Sequence, residues 1–215
     1  VKSRLMTTLV LASLAASSHA SNVDLQVTGR ITPGQACEMT VGQGLDYGRI
    51  SRNKLNPDPA SPTDIGTRRV KMHIDCVTPM RYALVSNNVP PPDAGDAFDL
   101  GLFSSGDRSP VGSLFVRMDG ASAHIEGGNA YYTSADSQDL GNAAWGPSTF
   151  STIPIGVAPI VIGFVTADGS FDAPTPIRHL DTYLLVHPWI KPMNELVLVD
   201  DIAFAGSLGF EIRYF

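Results

Sequence analysis

The chain has 215 residues, 43% of them hydrophobic and 17% charged, with a formal net charge of −6. That composition belongs to a folded chain rather than a disordered one, and the length suits one domain or at most two small ones. The acidic balance, with no basic cluster beyond Arg68-Arg69, argues against nucleic acid and against an anionic membrane surface as partners.

Residues 1–20, VKSRLMTTLVLASLAASSHA, place Lys2 and Arg4 before an apolar run from Leu5 to about Ala16 and close on Ser18-His19-Ala20. This order reads as a secretory signal peptide. The apolar run falls short of the roughly 20 residues a membrane-spanning helix needs. The expected mature chain, Ser21 to Phe215, is exported and has no membrane span. Loss of Lys2 and Arg4 takes the basic count from 15 to 13 against 21 acidic residues, a formal charge of −8.

Apolar–polar alternation predicts strands along the rest of the chain. VDLQVTGRI (23–31) alternates Val23, Leu25, Val27, Gly29 and Ile31, and RRVKMHIDC (68–76) alternates Val70, Met72, Ile74 and Cys76. RYALV (81–85), SLFVRM (113–118), PIVIGFV (159–165), TYLLVH (182–187) and ELVLV (195–199) follow. The closing stretch sets Leu208, Phe210, Ile212 and Tyr214 against Gly209, Glu211 and Arg213. Breakers separate these runs: LNPDPASPTD (55–64), NNVPPPDAGD (87–96), DGASAHIEGGN (119–129) and ADGSFDAPTP (167–176). With 20 glycines and 16 prolines and no helical period outside the signal peptide, the expected fold is an all-β antiparallel sandwich.

Cys37 and Cys76 form an even pair in an exported chain, which points to one disulfide. Closing a loop of this length contributes roughly 4 kcal/mol in the chain-entropy model. The alternative is two free thiols or a metal pair, for which His73 is the one neighbouring ligand.

The segment Leu25-x-Val27-x-Gly29-x-Ile31 followed by Cys37, LDYGRIS (45–51), VKMHIDC (70–76) and the penultimate Tyr214 together resemble the pilus subunits of the bacterial chaperone–usher pathway. The late pattern HPWIKPMNELVLVDDIAFAGSLGFEIRYF (187–215) and GLFSSGDRSPVGSLFVRMD (101–119) resemble, more closely still, an uncharacterised pilin-like family known only as a domain of unknown function. The resemblance implies an immunoglobulin-like sandwich that lacks its last strand. A groove along the C-terminal strand would expose core, a periplasmic chaperone would fill it, and the N-terminal extension of the next subunit would replace the chaperone. In such strand addition, backbone hydrogen bonds supply affinity and alternate side chains supply specificity.

On this reading residues 21–32 are a donor segment and 33–215 the pilin-like domain. Val23, Leu25, Val27 and Ile31 would be the donor side chains, with Gly29 where backbones approach closely. Leu208, Phe210, Ile212 and Tyr214 would face the missing strand. The implied partners are a periplasmic pilus chaperone, an outer-membrane usher and neighbouring subunits, and the implied destination is the periplasm and then the cell surface. Two departures stand out. The mature chain is longer than an ordinary shaft subunit, with the surplus expected between about Pro90 and Pro176, and DDIAFAG (200–206) lacks an obvious match to a glycine common upstream of the penultimate tyrosine.

No enzymatic motif is present: no Gly-x-Ser-x-Gly, no His-Glu-x-x-His and no phosphate loop. Neither a catalytic group nor a cofactor is expected. His73, His124, His179 and His187 are scattered, and Asp93, Asp96 and Asp99 depart from calcium-loop spacing. A competing function is a self-contained secreted binding module, in which Tyr131, Tyr132 and Trp145, set among amides and carboxylates, stack on a glycan or a protein. Packing over one end of the sandwich is the plainer reading of the same three rings. Trp189, directly after Pro188 and just before Pro192, is expected to be a structural anchor beside a turn.

Overall fold

The structure is a computed structural model. It describes residues 37–42, 45–86, 96, 98–135, 139–156, 161–197 and 202–214. By contacts the chain divides after Ile31, and Thr32–Phe215 forms one compact unit. The expected signal peptide and the whole expected donor segment, Val23, Leu25, Val27, Gly29 and Ile31 included, lie outside the described residues.

The described secondary structure is strand apart from two short 3-10 turns. In chain order the strands are β1 (Cys37–Val41), β2 (Thr63–Asp64), β3 (Arg68–Met80), β4 (Tyr82–Ser86) and β5 (Leu102–Ser104). β6 (Pro110–Ile125), β7 (Gly128–Asn129), β8 (Tyr131–Ala135), β9 (Ile153–Ile155) and β10 (Val161–Val165) follow. β11 (Ile177–Ile190), β12 (Phe204–Ala205) and β13 (Phe210–Tyr214) complete the series. They form two antiparallel sheets. The larger runs β1-β3-β11-β6-β5-β12, with β2 beside β11 and β7 and β9 beside β6. The smaller runs β13-β4-β10-β8.

Alternation decides which side of each strand becomes core. On β3, Val70, Met72, Ile74 and Cys76 are buried while Lys71 and Asp75 face out. These inward residues meet Leu180 and Leu184 of β11, Val116 and Met118 of β6, and Tyr82, Leu84, Ile162 and Phe164 of the smaller sheet. The all-β sandwich expected from the pattern is thus observed. The disulfide joins Cys37 to Cys76, which sit opposite each other in the β1–β3 register.

The smaller sheet is buried on both faces, and here local pattern gave no warning. β4 and β10 are buried at every position. Tyr82 and Leu84 face the main core, whereas Ala83 and Val85 join a second cluster with Val161, Ala135, Leu140 and Trp145. Residues 139–146 therefore cover the outer face of this sheet. Gly163 makes that cover possible, because a Cβ there would lie 2.2 Å from Pro174 Cγ and 2.9 Å from Trp145 Cζ3.

Two expectations are corrected. DGASAHIEGGN does not break the chain at Asp119: β6 continues to Ile125 and reverses at Glu126-Gly127, so that Gly128–Asn129 pairs back on His124 and Ile125. ELVLV does not form a strand over its described part. Met193–Glu195 is a 3-10 turn closed by Glu195 N–H on Pro192 O at 2.9 Å, and Val197 is 78% exposed. Trp189 lies in β11, opposite Asp64 and Ser113; the strand ends at Ile190, and the 3-10 turn Met193–Glu195 follows close by. Among the described residues no helix is long and apolar enough to cross a membrane.

Candidate functional site

The residues expected to face a missing strand lie together at one margin of the sandwich. β13 pairs with β4 in the register Phe210↔Ser86, Ile212↔Leu84 and Tyr214↔Tyr82, and among the described residues it ends the smaller sheet. Leu208, Phe210 and Ile212 are half-buried against the main core. Tyr214 is 42% exposed, and its hydroxyl oxygen accepts the Cys37 N–H at 2.8 Å. That bond brings the end of β13 to the start of β1, the terminal strand of the larger sheet.

Between these margins, among the described residues, a groove of about 520 Å³ reaches into the core. Its floor is made by Val70, Leu102, Leu114, Val116 and Leu184, all members of the main core, drawn from four strands of the larger sheet. One wall is Val41 at the end of β1 together with residues 45–48. The opposite wall is the stretch 202–208, which carries β12, followed by Phe210. Asp46, Tyr47 and Ser207 supply most of the polar lining, and Asp46 Oδ1 already accepts the Gly48 N–H at 2.7 Å. A groove this apolar binds by burial and shape, and its volume falls in the usual range of binding clefts. Ile212 and Tyr214 stand beyond its lining.

The far margin of the smaller sheet is built differently. β8 is covered by residues 146–149: Tyr132 and Thr149 exchange backbone bonds at 2.8 Å, and Gly146 N–H reaches Ser134 O at 2.9 Å. Covering an edge in this way prevents unwanted strand pairing.

The three aromatics considered for ligand contact do not form one surface. Tyr132 is fully buried, with its hydroxyl 2.6 Å from Thr182 Oγ1 and 3.0 Å from Asp119 O. Trp145 belongs to the second core cluster. Tyr131 is half-buried against Phe150, with ring centroids 5.8 Å apart. Tyr132 points inward by strand alternation and Trp145 covers a sheet face, so neither ring is presented for stacking.

The histidines meet carboxylates. His73 Nδ1 is 3.1 Å from Asp181, His187 Nε2 is 2.8 Å from Asp64, and His179 lies 2.5 Å from Asp75 and 3.0 Å from Glu126. His124 sits in register with Asp181 and Asn129. Asp99 Oδ1 accepts the N–H groups of Gly101 and Leu114 at 2.8 and 2.9 Å, and Asp96 Oδ1 accepts that of Phe98 at 2.9 Å. Asp93 lies outside the described residues.

The sequence reading missed the groove's floor and the second wall. Their residues come from β3, β5, β6, β11 and the 202–206 stretch, which no local spacing links. Tyr47 was noticed only as part of LDYGRIS.

Residues 25–92 match the model of a family described as protein of unknown function (DUF1120), in keeping with the resemblance to an uncharacterised domain. The match spans part of the expected donor segment and β1 to β4. No curated protein and no solved structure matches the chain.

Proposed function

We propose that the protein is a structural subunit of a surface fibre, exported by its leader and assembled by strand exchange in the manner of chaperone–usher pilins. The carrying observation is the groove itself: apolar, floored by the main core, and lying where the outermost described strands of the two sheets approach. An extended segment with apolar residues at alternate positions fits such a place, since its backbone pairs along a strand while every second side chain enters the core. Residues 21–32 of a neighbouring copy have that pattern in Val23, Leu25, Val27 and Ile31. Seating three or four such side chains offers on the order of 6–10 kcal/mol before ordering costs.

On this proposal the domain is an incomplete immunoglobulin-like sandwich. Its partners are a periplasmic chaperone, an outer-membrane usher and further subunits, and its role is adhesion or biofilm formation.

The test is thermal unfolding of the chain lacking residues 21–32, with and without a peptide of that segment. The control peptide carries Gly29 replaced by a bulky residue. A large rise in melting temperature with the native peptide alone supports the proposal. A truncated chain that is already stable and ignores the peptide overturns it, and a self-contained binding module becomes the better account.

A further inference from the structure

Residues 45–48 form a wall of the groove without belonging to a strand. Something must hold them, since an irregular segment lacks the ladder that fixes its neighbours. Leu45 packs against the main core, and Arg68, the first residue of β3, holds the next two residues. Its guanidinium donates to Asp46 O at 2.6 Å, and its Cζ lies 4.3 Å from the centroid of the Tyr47 ring. The planar cation both bonds the backbone and stacks on the aromatic face, which lysine cannot do equally well.

Tyr47 then reaches the next strand: its hydroxyl donates to Val186 O at 3.1 Å. Val186 is the β11 residue directly opposite Arg68, so the two bonds close over a single step of the β3–β11 ladder. Gly48, at φ +67°, turns the chain away immediately afterwards, with its N–H on Asp46 Oδ1. Burial raises the pKa of Tyr47 above tyrosine's ordinary value while the Arg68 charge pulls it down, in keeping with a ring enclosed beside a cation.

We infer that Arg68 and Tyr47 form a latch that fixes residues 45–48 as a wall of the groove, and that the latch sets how tightly an inserted strand is held. Arg68 is a positioning residue: it acts on the occupant through Asp46 and Tyr47. The inference rests on the strand-accepting reading of the groove.

The experiment uses the full chain, unaltered and as Arg68→Ala, Arg68→Lys and Tyr47→Phe. Hydrogen exchange at the amides of residues 45–50 reports the wall. Binding and release of a labelled peptide of residues 21–32, in excess, report the groove. Arg68→Ala is expected to speed exchange at 45–50 and to release the peptide about tenfold faster, the scale of losing a cation–π contact and a charged hydrogen bond. Arg68→Lys restores part of the effect, and Tyr47→Phe reproduces part of it. Normal peptide binding with unchanged exchange in Arg68→Ala overturns the latch and leaves the strand-accepting reading standing. Faster exchange with unchanged release overturns the role in holding the strand, and Arg68 is then a local structural residue only. If the unaltered chain takes no peptide, the strand-accepting reading and the latch's function fall together.

Discussion

Tyr82 and Tyr132 bring the same hydroxyl into one aromatic layer, both packed against Phe164, and meet opposite surroundings. The Tyr132 hydroxyl lies among Thr182 Oγ1 and Asp119 O, whereas that of Tyr82 is buried with no hydrogen-bond partner among the described residues. Burial pushes both hydroxyls above tyrosine's ordinary pKa. Tyr82→Phe is therefore expected to be neutral or stabilising by up to about 1 kcal/mol in denaturant unfolding. Tyr132→Phe, which removes the buried hydrogen bonds of that hydroxyl with Thr182 Oγ1 and Asp119 O, should cost about 1–2 kcal/mol. Gly163→Ala is expected to lose about 1–3 kcal/mol in the same assay, because its new methyl meets the Pro174 and Trp145 rings with little room to yield. The burial of Tyr132 was not legible as a strand position, because YYTSA (131–135) shows no clean alternation. Nor was the Tyr82 hydroxyl's isolation, since partners are supplied by strands far away in the chain.

At the scale of elements, the outward face of β3, β11 and β6 is a ladder of opposite charges. Arg69 pairs with Asp119 at 2.8 Å and lies over the Tyr183 ring, and Lys71 meets Asp181 at 2.8 Å. Each pair is exposed and contributes little alone. Carboxyls held below their ordinary range nevertheless give the fold an acid limit. Asp181 is held below the ordinary aspartate range chiefly by Lys71, and Asp64 by the Gly66 N–H and then His187. Asp107, at about 2, is held there first by the Ser109 N–H. A carboxyl with a lower pKa folded than unfolded takes up protons more readily in the unfolded chain. Its stabilisation is complete above the unfolded value, about pH 4, and is lost as the pH falls through the folded one. Guanidinium midpoints should thus drop as the pH falls between about 4 and 2. The disulfide acts between elements too: it closes a separation of 39 residues, and replacing both cysteines by serine should cost about 2–5 kcal/mol in unfolding free energy.

For the whole molecule, the two margins of the smaller sheet are treated unequally. Residues 146–149 cover β8, and residues 139–146 with Trp145 cover the outer face. The β13 side opens on the groove. Phe210→Asp places a charge in that apolar wall and is expected to weaken uptake of the 21–32 peptide at least tenfold, with the circular dichroism spectrum of the folded chain retained. Loss of the fold itself would show Phe210 to be core rather than groove.

Period-two alternation fixes strand identity and the inward face one residue at a time, so β3, β4, β10, the centres of β6 and β11, and β13 were legible in the sequence. So was the disulfide, from an even pair of cysteines in a chain whose first twenty residues read as an export leader. The limits of β6 and β11 were not, because a strand continues through Gly or Pro when a neighbouring strand supplies its hydrogen bonds. The burial of both faces of β4 and β10 was likewise a tertiary matter, decided by a loop more than fifty residues away from β4. The groove belongs to the same class. Alternation marks Leu208 and Phe210 as apolar, but a concavity exists only where Val70, Leu114, Leu184 and the 45–48 wall converge on it, and convergence is a property of how strands order in sheets rather than of any stretch of sequence.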